Sequence, residues 1–160
     1  MVILVMGTTG AGKTTVGKLI AERRGWIFLD ADDFHPSANI EKMKHGIPLT
    51  DADRTPWLVN IHVQLVQLAT EGKNAVLACS ALKQSYRDTL SAGLDFRIVY
   101  LRGTYEQMRQ HILARQGHFA GESILAGQFA DLEEPRDALA IDVAGTPAEI
   151  ANRALEKLQL

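Results

Sequence analysis

Glycines, a lysine and a threonine follow the spacing Gly-x-x-x-x-Gly-Lys-Thr near the start of the chain, from Gly7 to Thr14. Glycines at such positions let the backbone curl until successive N–H groups point at one anion. Lys13 would then reach the β- and γ-phosphates of a nucleotide, and the Thr14 hydroxyl would bind Mg²⁺. The pattern predicts a phosphate-binding loop made of Gly7, Thr8, Thr9, Gly10, Ala11, Gly12, Lys13, Thr14 and Thr15. A glycine-rich turn in front of an ordinary helix is the alternative.

Two elements must hold this loop in place. The apolar run from Val2 to Met6 predicts a buried strand that enters the loop. From Lys13 to Arg24 the apolar residues recur at helical spacing, and Gly25 follows at the position where helices end. Strand, loop and helix signals therefore occur in the order that a phosphate-binding loop requires, which favours that interpretation over a plain turn.

Strand and helix patterns alternate along the rest of the chain. Short apolar runs predict strands at 27–29, 75–79, 96–101 and 140–143, with helices between them. One helix should begin at Thr55, because Thr55-Pro56 offers an N-cap followed by proline in the first helical position. The alternation predicts an α/β fold with three layers, α/β/α, around a central parallel sheet of about five strands.

The length fits one domain that spans residues 1–160. Within it, the stretch from about 117 to 135 is polar, weakly patterned and too long for a simple turn. Such a segment is typical of a lid that closes over a site, and we expect a helical lid here.

Composition limits the partners and the compartment. The chain has 17 Lys and Arg against 19 Asp and Glu, a net charge of -2, and no run of like charge that nucleic acid or a membrane surface would bind. The single cysteine, Cys79, rules out a disulfide within the chain and favours a reducing compartment. The first apolar run is too short for a signal peptide or a membrane span. We therefore expect a cytoplasmic protein; the oligomeric state stays open, with a homodimer as one option.

A second group of polar residues supplies chemistry beyond the phosphate loop. Asp30, Asp32, Ser80 and Lys83 all follow predicted strand ends, which meet at one edge of a parallel sheet. Phosphoryl transfer to an alcohol needs a carboxylate near the hydroxyl and cations on the transferred group. Asp32 suits the first task, and Arg115, at the entrance to the lid, suits the second.

Three further cations indicate what the acceptor carries. Arg54, Lys83 and Arg87 would remain for it, so the acceptor should be anionic and most simply a carboxylate. Plainer roles stay open for these residues: Arg54 could pair with Asp51 or Asp53, and Arg87 could be a solvated helix residue.

The same segments resemble gluconate kinases, small sugar-acid kinases of the P-loop superfamily. The resemblance spans residues 3 to about 143. It rests on Phe28-Leu29-Asp30-Ala31-Asp32 with His35-Pro36, Asn39-Ile40-Glu41-Lys42-Met43, Gly46-Ile47-Pro48-Leu49 with Asp51 and Asp53-Arg54, Pro56-Trp57-Leu58, Cys79-Ser80-Ala81-Leu82-Lys83 with Tyr86-Arg87-Asp88, Ala114-Arg115 with Gly117-His118-Phe119, Gln128-Phe129, and Leu132-Glu133 with Pro135.

The resemblance implies a P-loop kinase that uses ATP and Mg²⁺ to phosphorylate D-gluconate on its 6-hydroxyl, feeding it into central carbohydrate metabolism. Lys13, Asp32 and Arg115 would be catalytic, and Asp30 would hold the metal with Thr14, directly or through water. The gluconate side would comprise Asp32, His35, Arg54, Lys83, Arg87, His118 and Gln128.

Several alternatives stay open beside it. Asp33 is a third carboxylate in this loop and competes with Asp32 as the partner of the acceptor hydroxyl. His118 could instead cap the helix before it. The acceptor could be another small anion such as shikimate, or the chain could be a nucleotide-dependent switch with no acceptor reaction.

Overall fold

Parallel strands form one sheet in the order β2-β3-β1-β4-β5. The computed structural model describes residues 1–116 and 122–160. The strands are β1 (Val2–Met6), β2 (Ile27–Asp30), β3 (Ala75–Ala78), β4 (Phe96–Arg102) and β5 (Leu139–Asp142). Asp30 and Val5 both pair with Ala78, and Met6 pairs with Tyr100, so the strands end in register. The loops after β1, β2 and β3 therefore leave from one edge of the sheet.

Helices cover both faces of the sheet. They are α1 (Lys13–Arg24), α2 (Ser37–Lys44), α3 (Asp51–Thr70), α4 (Gln84–Ser91), α5 (Tyr105–Gln116), α6 (Glu122–Asp131) and α7 (Pro147–Leu158). Ile3 and Val5 of β1 pack with buried residues of α1, α5, α6 and α7, whereas Leu4 and Met6 pack with those of α3 and α4. This alternation follows from the two-residue period of a strand. The predicted three-layer α/β/α fold is confirmed.

The start of α3 corrects the sequence prediction. The helix begins at Asp51, not at Thr55, and Pro56 lies inside it. Thr50 and Asp53 form a capping box: the Thr50 hydroxyl accepts from the Asp53 N–H at 3.1 Å, and the Asp53 carboxylate accepts from the Thr50 N–H at 2.9 Å. These two bonds satisfy backbone donors at the true helix start. As a result, Asp51 and Arg54 both lie in the first helical turns.

Most other boundaries agree with the prediction. Capping boxes at Thr104-Gln107 and Thr146-Glu149 open α5 and α7 as expected. Helix α6 lies within the stretch 117–135 that the sequence marks as a helical lid, and residues 117–121 of that stretch lie outside the described residues. Among the residues that the structure describes, no helix is long and apolar enough to cross a membrane.

Candidate active site

A polar cleft of about 320 Å³ opens at the carboxyl edge of the sheet. It is lined by the loop after β1, the ends of β2 and β3, and residues of α5 and α6. The lining residues are Thr9, Gly10, Gly12, Lys13, Thr14, Asp30, Asp32, Ala78, Cys79, Ser80, Arg115 and Gln128. Seven of the sequence-predicted site residues outside the glycines, from four separate segments, thus share one cleft. Asp33 is not among the residues that line it.

The loop after β1 has little space for side chains. Gly10 has a φ of 83°, and a Cβ there would lie 2.8 Å from the Met108 carbonyl oxygen. Only glycine fits both conditions. The Gly10 carbonyl also accepts a hydrogen bond from His111 Nδ1 at 2.8 Å. No local spacing in the sequence signals this contact between α5 and the loop.

Lys13 lies against its own loop. Its Nζ donates to the Thr8 carbonyl oxygen at 3.0 Å. Burial lowers the pKa of the Lys13 ammonium, while the carboxylates of Asp32 and Asp30 act in the opposite direction. The amine is therefore held at the floor of the cleft, where a phosphate would replace the carbonyl as its partner.

Thr14 and Asp30 are the best candidates for a metal site. The Thr14 hydroxyl donates to Asp30 Oδ2 at 3.1 Å, and Asp30 Oδ1 accepts from the Asp32 N–H at 3.0 Å. Within residues 1–116 and 122–160, no cluster of three or more His, Cys, Asp or Glu could hold a metal ion. Magnesium in phosphate sites commonly uses one or two protein oxygens and takes its other ligands from phosphate and water. This pair of oxygens fits that pattern.

Asp32 lies between the phosphate loop and the acceptor side. Desolvation within the cleft raises the pKa of its carboxyl, the neighbouring Asp30 carboxylate raises it further, and His35 opposes the rise. His35 stacks on Trp57 with ring centroids 4.5 Å apart. The Trp57 indole in turn donates to the Ala31 carbonyl at 2.7 Å, which ties α3 to the turn that carries Asp32.

His35 also contacts the start of α2. The buried amide of Asn39 lies 3.3 Å from His35 Nδ1, and it also donates to the Asp53 carbonyl at 3.0 Å. Burial lowers the pKa of His35; the Asp32 carboxylate opposes this shift, and the charge of Arg54 adds to it, so the net direction is downward. The imidazole is therefore neutral at physiological pH, positioned to exchange hydrogen bonds rather than to supply charge.

A cluster beside the cleft joins α3 to α4. We call it the Asp51 cluster; it consists of Asp51, Arg54, Lys83 and Tyr86. Lys83 Nζ lies 3.1 Å from both carboxylate oxygens of Asp51, and the Tyr86 hydroxyl donates to the same carboxylate. Arg54 donates to the Tyr86 hydroxyl at 3.1 Å and lies 3.8 Å from Asp51. Both cations also lie 5.8 Å from the centroid of the Tyr86 ring.

Arg87 is held by the protein itself. It is only 1% exposed. Its guanidinium donates to the carbonyl oxygens of Ala81, Leu82 and Glu133 at 2.8 to 3.0 Å, and to the Gln84 side chain. Arg87 is therefore not a solvated helix residue. All five guanidinium N–H groups already donate hydrogen bonds within the protein, so none is left to donate to a substrate. Its substrate contact stays a prediction that requires one of these bonds to open.

The segment around α6 contacts the phosphate loop directly. Gln128 Oε1 accepts a hydrogen bond from the Thr9 N–H at 2.6 Å. Arg115, at the end of α5, is exposed and lines the cleft, and its charge lowers the pKa of Lys13. His118 lies outside the described residues. Helix α6 thus touches the same backbone that a nucleotide phosphate would contact.

The chain is similar in sequence and in structure to known proteins. The chain matches the family model of an AAA domain over residues 2–135. A protein from Rattus norvegicus named probable gluconokinase is 41% identical, over 99% of this chain and 97% of that protein. The gluconokinase of Gluconobacter oxydans (strain 621H) is 46% identical over 84% of this chain and 76% of its own length. The crystal structure of a gluconokinase from Sinorhizobium meliloti 1021 superimposes with a TM-score of 0.88 at 43% identity, covering 98% of this chain and 90% of that one.

Proposed function

The chain belongs to the gluconokinase family of P-loop kinases, and from that premise we propose that it transfers the γ-phosphoryl group of ATP to the 6-hydroxyl of D-gluconate. The products are 6-phospho-D-gluconate and ADP, so the enzyme feeds gluconate into central carbohydrate metabolism. The observation that carries the proposal is the position of Asp32, which lines the phosphate cleft and interacts electrostatically with His35 on the acceptor side.

The donor half would act through the loop from Gly7 to Thr15. Its backbone N–H groups hold the phosphates, and Lys13 exchanges the Thr8 carbonyl for the β- and γ-phosphate oxygens. The Thr14 hydroxyl and Asp30 would hold Mg²⁺, directly or through water, and the ion would neutralise charge on the phosphates. Arg115 adds a cation over the transferred group when the lid closes.

The acceptor half would orient one hydroxyl and one carboxylate. Asp32 accepts the proton of the 6-hydroxyl as its oxygen bonds to phosphorus, and the bond from the γ-phosphorus to the β–γ bridging oxygen breaks. The raised pKa of Asp32 suits a carboxylate that takes up a proton. Arg54 and Lys83 bind the carboxylate of gluconate, while His35 and Gln128 contact its hydroxyls. We keep His118 as a predicted member of this group.

The lid and the domain organisation complete the proposal. We propose one kinase domain over residues 1–160, with the lid at about 117–135. The hydrogen bond between Gln128 and the Thr9 N–H supports this lid, because a phosphate that approaches the loop must meet α6. Closure would exclude water, which would otherwise accept the phosphoryl group.

The cellular setting is inferred in part from sequence. The buried free thiol of Cys79 supports the predicted cytoplasmic location. No nucleic-acid or membrane partner is proposed, and the homodimer stays a prediction that light scattering of the purified protein would test.

The function is tested with purified protein, ATP, Mg²⁺ and a panel of acceptors. We expect ADP formation that depends on D-gluconate, and 6-phosphogluconate as the product by mass spectrometry. Asp32→Asn should lower kcat at least tenfold and Asp33→Asn much less, since Asp32 lines the cleft and Asp33 does not. Turnover of shikimate but not gluconate, or ATP hydrolysis that no acceptor stimulates, would refute the proposal.

A further inference from the structure

The Asp51 cluster contains an acid where an anion-binding subsite would be expected to contain only cations. Arg54 and Lys83 are mostly buried, with 29% and 28% of their side chains exposed, whereas Asp51 is 64% exposed. The carboxylate therefore lies on the solvent side of the two cations that the proposed reaction assigns to gluconate. An acceptor that approaches these cations must meet Asp51 first.

Asp51 is fixed in this position rather than loosely paired. Both of its oxygens accept from Lys83 Nζ, and one of them also accepts from the Tyr86 hydroxyl. These hydrogen bonds, that of Tyr86 first, lower the pKa of the Asp51 carboxyl, so it is charged at neutral pH. Burial raises the pKa of Tyr86, so the phenol stays neutral.

The charge of the cluster follows from these states. Two cations and one carboxylate leave a single positive charge. The charge of Asp131, at the end of α6, also raises the pKa of Lys83. His35, next to Arg54, contributes no charge when it is neutral. One positive charge matches one carboxylate, but it leaves the second charge of a dianion uncompensated.

We propose that Asp51 is a specificity-determining residue: by neutralising one of the two cations, it makes the subsite select acceptors with a monoanionic end group over acceptors with a dianionic one. The inference rests on the proposed function, because it assigns this subsite to the acid end of the acceptor. Selection arises from repulsion of the wrong ligand as well as attraction of the right one.

The test compares two ligands with the same carbon chain. D-Glucitol 1-phosphate has a phosphate ester in place of the carboxylate of D-gluconate, and at pH 8 the ester is a dianion because its second pKa is about 6. We measure KM for gluconate and Ki for this competitor, detecting only 6-phosphogluconate so that turnover of the competitor does not interfere. The variants are Asp51→Asn, which removes the charge, and Asp51→Glu, which keeps it.

In Asp51→Asn, Ki for the dianion should fall by about tenfold while KM for gluconate changes by less than about threefold. Asp51→Glu should keep the preference of the unmodified enzyme. Asp95→Asn is the matched control: it changes the net charge equally, but Asp95 is exposed in front of β4, at the opposite edge of the sheet.

The outcomes separate the two proposals. An unmodified enzyme that makes no 6-phosphogluconate overturns the proposed function, and the inference with it. Normal turnover with a Ki that is unchanged in Asp51→Asn, or that falls equally in Asp95→Asn, overturns the inference alone. If Asp51→Asn loses turnover, calorimetric Kd values for the two ligands, with circular dichroism to verify folding, decide the same comparison.

Discussion

The proposed donor and acceptor halves of the site meet at Asp32 but are built differently. Most of the proposed donor half is one continuous segment, Gly7 to Thr15, which runs from the end of β1 into α1 and would hold phosphates mainly through its backbone N–H groups. The acceptor half takes single side chains from the turn after β2, from α3 and from α4. The first half is therefore specified by local sequence, whereas the second depends on how distant helices pack.

The two halves also handle charge differently. In the donor half, desolvation lowers the pKa of Lys13, so a ligand that brings several negative charges would stabilise the ammonium form. In the acceptor half, Lys83 already has a carboxylate partner, which raises its pKa. Within the part of the chain that the structure describes, Lys13 forms no salt bridge with a carboxylate, whereas Lys83 is paired with Asp51. The proposed phosphate site therefore leaves its cation for a polyanion, and the proposed acceptor site offsets part of its own charge.

The largest effect is expected from removing the donor cation. Lys13→Ala should lower kcat by about two to three orders of magnitude, because the ammonium acts on charge that develops in the transition state. The fold should survive, since the carbonyl that Lys13 contacts lies in the same loop.

Steady-state kinetics with circular dichroism measure this outcome. Lys18→Ala, on the exposed side of the same helix, is the control and should change kcat little. A folded Lys13→Ala enzyme with near-normal kcat would remove the basis for separating the two halves.

The next effect concerns stability rather than rate. Arg87 holds the turn after β3, where Ala81 has a φ of 44°, to the Glu133 carbonyl that follows α6. Arg87→Lys keeps the charge but cannot reach these acceptors at once. We expect the free energy of unfolding to fall by about 2–3 kcal/mol, the cost of leaving buried carbonyls without partners.

Urea unfolding measures this loss, and Arg24→Lys, at the exposed end of α1, is the control. Arg87→Lys also tests whether Arg87 belongs to the acceptor half. If Arg87→Lys keeps its stability and instead raises KM for gluconate, the guanidinium belongs to the substrate site as the sequence predicted.

The donor half could be predicted from sequence more fully than the acceptor half. Strand β1, the loop and α1 agree with the prediction residue by residue, because each signal lies within a few positions of the next. Thr55-Pro56 misled the prediction of α3, since Thr50-x-x-Asp53 is an equally good start and only tertiary contacts, such as Lys42 with Asp53 at 2.7 Å, favour it. Short-range rules cannot rank two adjacent caps.

The acceptor half depends on contacts between residues that are far apart in sequence, which local sequence patterns do not predict. Sequence offered Asp51 or Asp53 as partners of Arg54, and Asp51 lies 3.8 Å away, yet its stronger contact is with Lys83, 32 residues further along the chain. No spacing rule finds such a pair. His111 and Gln128 likewise reach the phosphate loop from α5 and α6, and only the packed helices bring them there.

A moderate effect on one substrate alone is expected from Arg54. Arg54→Ala should raise KM for gluconate by about tenfold and leave KM for ATP within about twofold, because the side chain belongs to the Asp51 cluster and does not line the phosphate cleft. Initial rates with each substrate varied in turn measure the split. Equal losses for both substrates would mean that the two halves are not separate sites.

The smallest effect comes from the capping carboxylate that supports the acceptor half. Hydrogen bonds from Lys42 and then from the Thr50 backbone lower the pKa of Asp53 from 3.8 to about 2. A lowered pKa means that the folded state binds the proton less well than the unfolded chain. The stabilisation is therefore complete above about pH 4 and is lost as the pH falls toward 2.

Asp53→Asn should accordingly unfold at a lower urea concentration than the unmodified protein at pH 7 and pH 5, by a similar margin, and by a smaller margin at pH 3. Asp95→Asn should show no such pattern. Because Asp53 also fixes the first turn of α3, a raised KM for gluconate with an unchanged KM for ATP would show that this cap holds Asp51 and Arg54 in place. A margin that stays constant down to pH 3 would mean that the charge of Asp53 does not stabilise the helix start, and that the neutral hydrogen bonds of the capping box are sufficient.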